Sequence, residues 1–163
     1  MYTPPLGASY FEGYYYIVKP LLANTSWADA RIAAQALGGI GWDLATIYSQ
    51  DEQNFIQTLL PPNPRELGGI HEYWIAGEQP SESPEPGGNW QWATDHAVFY
   101  NNAPIDGFFT NWGSFDTGPG NEPNQTGIEN HLALDNRYGW GWNDNDSNLD
   151  GVTLGYVAKR AAP

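Results

Sequence analysis

The sequence predicts an α+β domain in which two helices accompany short antiparallel strands and a long-loop region fills much of the second half. Three observations carry this. Two capped helical patterns stand in the first third, short aromatic and β-branched runs open and close the chain, and the stretch after Gly77 is dominated by Pro, Gly, Asn, Asp and Ser. At 163 residues the chain fits one domain spanning 1–163, with enough length to bury a core.

The first run, Tyr10 to Val18, surrounds Gly13 with aromatic and β-branched residues and reads as a strand or hairpin. A helix follows. Ser26 is its N-cap, Asp29 stands at N3, Trp27, Ala30, Ala34 and Leu37 recur at helical spacing, and Gly38-Gly39 stops it. The second helix starts at a Ser49/Glu52 capping box, carries Phe55, Ile56, Leu59 and Leu60 on its apolar face, and ends at Pro61-Pro62. Tyr73 to Gly77 is a short strand, Trp90-Gln91-Trp92 an aromatic piece within loops, and Asn130 to Leu134 and Leu154 to Ala158 are the closing strands. So much irregular chain in a compact domain points to function in the loops.

Composition narrows the function classes. Eight Trp and ten Tyr argue for a packed core, because a disordered chain is poor in aromatics. A formal charge of -13 repels phosphate backbones and anionic membrane surfaces, so nucleic acid is not an expected partner. The same acidity suits a solvated surface or a protein working in millimolar calcium. With no cysteine, disulfides, thiolate metal sites and cysteine nucleophiles are excluded. No apolar stretch approaches the roughly 20 residues of a membrane span, and no basic-then-apolar leader stands at the N-terminus. The starting Met1 then reads as the start of an excised module.

The chemistry concentrates between Glu122 and Asp144. Glu122-Pro123-Asn124, Glu129 and Trp142-Asn143-Asp144 offer three carboxylates and two amide carbonyls. Oxygen donors of this number and kind suit Ca2+, which takes six to eight of them in a flexible shell. A cis bond at Pro123 would let both flanking side chains point to one side. Alone the tripeptide is equally well an ordinary polar loop; the downstream Trp-Asn-Asp shifts the balance.

In order along the chain stand the aromatic hairpin, the Trp27/Ala30 helix, Leu44-Ala45-Thr46-Ile47 before Ser49, Trp74-Ile75-Ala76-Gly77, Asn111-Trp112, Glu122-Pro123-Asn124 and Trp142-Asn143-Asp144. This series resembles the C-type lectin-like domain family over most of the chain. The resemblance implies that Glu122, Asn124, Glu129, Asn143 and Asp144 hold one Ca2+, which binds two vicinal sugar hydroxyls. Glu-Pro-Asn, as opposed to Gln-Pro-Asp, implies mannose-type sugars, including glucose and N-acetylglucosamine, and often fucose. The expected partners are cell-surface glycans, and the expected role is a non-enzymatic lectin module of a bacterial surface adhesin. The alternative is the same fold binding a protein or an ice surface, since fold does not fix function.

The chain departs from the family pattern in its missing cysteines. Ala34 and Ala158 stand where a disulfide would join the first helix to the last strand, with His131 and Ser147 near the other. Glu122 and Glu129 are one residue closer together than in mannose-binding members, which makes Glu129 the least secure ligand. Glu82, Glu85 and Asp116 are read as solvated acids, not a second calcium site. The run from Asp144 to Gly151 imitates an EF-hand loop but has Leu149 where Gly is needed and Gly155 where a bidentate Glu is needed. His71, His96 and His131 are too scattered for a metal cluster, and no acid/base pair is marked for glycoside cleavage. Most tryptophans are expected in the core, with Tyr138 and Trp140 as the exposed pair beside the calcium loops.

Overall fold

The structure is a computed structural model that describes residues 2–22, 25–114, 122–124, 128–146 and 153–163. Asp116, Ser147 and positions 148–151 of the EF-hand-like run lie outside the described residues.

The opening run forms a hairpin of β1 (Ser9–Phe11) and β2 (Tyr14–Pro20), turned at Glu12-Gly13, where Gly13 takes φ +87°. Strand β2 then pairs antiparallel with the last strand β9 (Thr153–Ala161), from Tyr14 opposite Ala161 to Pro20 opposite Gly155. The opening hairpin and the last strand therefore lie side by side, through β2.

Helix α1 (Trp27–Gln35) begins where the sequence places it: the Ser26 hydroxyl oxygen accepts from the Asp29 N–H at 3.1 Å. Its buried face is Trp27, Ala30 and Ala34. Ala34 and Ala158 are both fully buried in one core, so two methyl groups occupy positions that the resemblance assigns to a disulfide.

Helix α2 (Gln50–Leu59) is capped by Ser49, which accepts from the Glu52 N–H at 3.1 Å. The reciprocal arm differs from a simple capping box, because Glu52 Oε2 accepts from the Tyr48 N–H at 2.8 Å. Ile56 and Leu60 are buried while Phe55 and Leu59 are half-buried, so the apolar face is right but incomplete. Polar Glu52 and Gln53 share it. Gln53 donates to the Trp140 carbonyl at 2.9 Å and accepts from Trp142 Nε1 at 2.9 Å.

Glu52 also ties α2 to β9. Its Oε1 accepts from Tyr16 OH at 2.7 Å and from the Lys159 ammonium, the Glu52 and Lys159 side chains each being 7% exposed. Breaking a buried pair strands a charge and costs about 3–5 kcal/mol. Glu52→Ala is therefore expected to lower the urea midpoint strongly, by far more than a surface Glu→Ala substitution such as Glu66→Ala.

The rest of the sheet explains where the site lies. β4 (Glu72–Glu78) pairs antiparallel with β5 (Trp90–Trp92) and with β7 (His131–Asp135), and β7 pairs with β8 (Gly141–Asn145). β6 (Val98–Tyr100) extends β5, and the two-residue β3 (Asp43–Leu44) pairs with β9. One pairing was not expected. β4 runs parallel to β9, Tyr73 opposite Gly155, because the chain returns to the sheet only after the loop-rich half. Trp74, Trp90, Trp92 and Trp142 are fully buried, as expected for most tryptophans.

Candidate functional site

Asn143 and Asp144 lie in strand β8, a correction to the expectation of a polar loop there. Their composition is that of a turn, but pairing with β7 fixes them: Ala133 lies opposite Asn143 and Leu132 opposite Asp144. Adjacent strand residues point to opposite faces, so a single loop must wrap the strand edge to reach both.

The Glu-Pro-Asn loop does this. Residues 111–113 run beside β8, with Trp142 N–H donating to the Asn111 carbonyl and Gly113 N–H to the Trp142 carbonyl, each at 2.8 Å. Glu122 N–H donates to the Gly113 carbonyl at 3.3 Å, which hangs the loop on this segment. The Glu122–Pro123 peptide is cis. Beyond it, the Asn124 N–H faces both Asp144 carboxylate oxygens at 3.2 Å, and Asn124 Nδ2 donates to Glu122 Oε2 at 2.5 Å.

A cavity of about 170 Å³ opens here, lined by Glu122, Asn124, Glu129, Arg137, Tyr138 and Asn143. Four of the five nominated residues thus face one space, and the fifth, Asp144, is fully buried beneath Asn124. Tyr138 and Trp140 are not an exposed pair: they are 8% and 1% exposed, and this expectation is corrected. The Tyr138 hydroxyl donates to Glu122 Oε1 at 2.5 Å, while Trp140 Nε1 donates to the Pro61 carbonyl at 3.2 Å.

Gly113 permits that arrangement, since a Cβ built there would lie 2.4 Å from the Tyr138 ring. Gly113→Ala should displace the ring and loosen Glu122, at an overpacking cost of about 1–3 kcal/mol. The near-ultraviolet dichroism of the tyrosine and the melting temperature would report it together.

Sequence reasoning missed Arg137 and Glu72. Arg137 grips Asp135 through Nε and Nη2, the latter 2.5 Å from Oδ2, and lies 4.0 Å from Glu72. Glu72 is 1% exposed and accepts from Asn143 Nδ2 at 2.8 Å and Asn145 Nδ2 at 2.5 Å. No motif marks either residue, because both join the site through strand pairing across distant sequence.

Electrostatically the site is a set of carboxylates that resist ionising together. Burial, then neighbouring Asp144, push Glu122 up to about 8; burial, then Glu122 and Asp146, push Glu129 up to about 7. Glu72 is pushed up to about 8 by burial and Asp135, opposed by the Asn143 amide. An acid whose folded value is raised stabilises the fold at pH below its ordinary value, and that contribution is lost as pH climbs through the folded value. In chelator, the melting temperature should therefore fall as pH rises from 4.5 to about 8. A flat or rising profile across that window would contradict this electrostatic picture.

The donor set fits calcium. Among the described residues no three Asp, Glu or His side chains stand together as a metal cluster, so Glu122, Glu129 and Asp144 do not form one by themselves, and an ion here would also need the oxygens of Asn124 and Asn143. Asn143 is turned for this, since its Nδ2 is committed to Glu72 and its Oδ1 is not. A divalent cation would also relieve the crowding of Glu122, Glu129 and Asp144.

No protein-family model matches the chain, and no curated protein matches it. Solved structures do. Human lithostathine superposes with a TM-score of 0.68 at 18% identity, over 98% of this chain and 91% of its own. Herring type II antifreeze protein gives 0.67 at 20% identity, over 98% and 99%. The cow C-type carbohydrate-recognition domain of CD23, solved in the presence of a GlcNAc2Man3 oligosaccharide, gives 0.65 at 27% identity, over 99% and 98%. These matches show that the chain folds as a C-type lectin-like domain, an architecture of non-catalytic binding modules.

Proposed function

We propose that residues 1–163 form a calcium-dependent carbohydrate-recognition domain for sugars of the mannose, fucose and glucose type. The observation that carries this is the convergence of Glu122, Asn124, Glu129 and Asn143 on one cavity, with Asp144 directly beneath. The likeness to the cow CD23 domain supports a saccharide ligand.

Glu122, Glu129 and Asp144 supply carboxylate oxygens to the calcium, and Asn124 and Asn143 supply amide oxygens. Bound calcium provides coordination positions for two vicinal sugar hydroxyls. Around them the chain works by hydrogen bonding: Glu122 and Glu129 accept hydroxyl protons, and the two amides donate. Each amide has two N–H groups. One is taken by Glu122 or Glu72, and the second remains for the sugar.

Such a domain acts extracellularly, on cell-surface glycans, as the ligand-binding module of a surface adhesin. No helix among the described residues is long and apolar enough to cross a membrane. The superposition on a herring antifreeze protein favours a second reading, in which the same face meets ice or a protein. A glycan array probed with and without EDTA separates the two. Signal on mannose- or fucose-terminated glycans that disappears in EDTA supports the lectin; a blank array with inhibition of ice recrystallisation supports the alternative.

A further inference from the structure

Resting on the calcium reading above, we infer that Glu72 is a positioning residue which fixes the side-chain amide of Asn143 so that its oxygen, not its nitrogen, faces the ion. A carboxamide can be turned over by half a rotation with almost no steric change, and only one orientation makes a ligand. Something must choose between them.

Strand geometry supplies the choice. β7 lies between β4 and β8, with Glu72 opposite Asp135 and Ala133 opposite Asn143. Side chains alternate with period two, so Asp135 and Ala133 share a face of β7, and their partners Glu72 and Asn143 share it with them. Trp74 is the β4 residue opposite Ala133, so Glu72 lies diagonal to Asn143 and reaches it along the shared face. Its Oε1 accepts from Asn143 Nδ2 at 2.8 Å, and its Oε2 accepts from Asn145 Nδ2 at 2.5 Å.

In the structure both amides present nitrogen to Glu72, each through Nδ2, and the ionised carboxylate, which can only accept, holds them that way. Asn143 Oδ1 is thereby left for the cavity that Asn143 lines with Glu122, Asn124 and Glu129. The Arg137 guanidinium, 4.0 Å from Glu72 and bound to Asp135, offsets the charge of this buried group. Glu72 does not line the cavity and touches no ligand. It acts through Asn143.

Groups that orient a metal ligand change affinity by about 10–100-fold when removed. The test measures calcium affinity by calorimetry for the wild-type domain, Glu72→Gln and Glu72→Met, alongside their urea midpoints in EDTA. A 10–100-fold loss of affinity is expected for both variants. A merely structural role would lower the midpoint in EDTA and leave affinity alone, which overturns the inference.

The same comparison in an Asn143→Asp background guards against unfolding as the cause. The two oxygens of a carboxylate are equivalent, so there is no orientation to select, and Glu72→Gln should then cost little affinity. An equal loss in both backgrounds overturns the inference. A readout independent of calcium is the NMR signal of the Asn143 side-chain amide in EDTA, one proton of which should lie in a strong hydrogen bond that Glu72→Met removes. A wild-type domain that binds no calcium overturns the calcium reading itself. One that binds calcium and tolerates both Glu72 variants overturns the role of Glu72 alone.

Discussion

Calcium raises the melting temperature of the wild-type domain, EDTA lowers it, and a Glu122→Ala/Asp144→Ala double variant loses the response. A ligand that binds only the folded form stabilises it by mass action, by about 2.7 kcal/mol at a hundredfold excess over Kd. For a domain of this size that corresponds to a shift on the order of 5–10 °C. The two carboxylates are chosen for different reasons. Glu122 faces the cavity and is held by Tyr138 and Asn124; Asp144 lies beneath and receives the Asn124 backbone N–H. Replacing both removes two charges from the cation and unpins the loop that carries the third nominated ligand. In chelator the double variant should lose stability through the buried Asp144, which receives the Asn124 N–H, and less through Glu122, whose ionisation burial opposes, so the calcium response is read as the shift between calcium and EDTA for each protein. If differential scanning calorimetry shows the calcium response intact in the double variant, these residues are not the ligands.

What the sequence discloses about this fold is what local chemistry encodes. Ser26 and Ser49 mark the two helix starts because a side-chain oxygen must satisfy an orphan N–H within three residues, and such a motif is written contiguously. The Glu-Pro-Asn and Trp-Asn-Asp pieces are likewise contiguous, and the structure brings them together. The polar face of α2 was hidden. Nothing near Gln53 in sequence announces that it will meet Trp140 and Trp142, more than eighty residues onward. The strand at Gly141–Asn145 was hidden for the same reason, since turn-like residues were held extended by a partner strand. Trp140 reads as surface next to polar loops, yet the Pro61 carbonyl and the Tyr73 ring hold it inside. Glu72 is the sharpest case. It stands at the start of an apolar strand with no motif around it, and only the stacking of β4, β7 and β8 reveals that it grips two asparagines.

Exchanging Glu122→Gln together with Asn124→Asp shifts the preferred sugar from mannose or fucose towards galactose while calcium still binds. The reasoning follows donors and acceptors around the cavity. In the wild-type loop, position 122 can only accept and position 124 has an amide with N–H groups to give, one of them already bonded to Glu122. This order suits neighbouring equatorial hydroxyls, as in the 3- and 4-positions of mannose. Galactose presents an axial 4-hydroxyl, which misplaces the second oxygen; fucose, also axial at that position, would be held through its equatorial 2- and 3-hydroxyls instead. The double exchange moves the carboxylate from one side of the ion to the other, keeping the number of charges and of oxygen donors unchanged, so metal affinity should survive. A lone monosaccharide buries little apolar surface and offsets its lost freedom with a few hydroxyl bonds, so single-site dissociation constants on the order of millimolar are expected. Multivalent display on a cell would raise the effective affinity. Titrating mannose, fucose and galactose against both proteins in calcium buffer, by line broadening of the sugar resonances, reads the preference directly. A wild-type domain that prefers galactose, or that binds any of the three equally in EDTA, contradicts this assignment of the loop. A double variant that keeps its calcium and its preference for mannose shows that specificity is set elsewhere in the cavity, which Arg137 and Tyr138 also line.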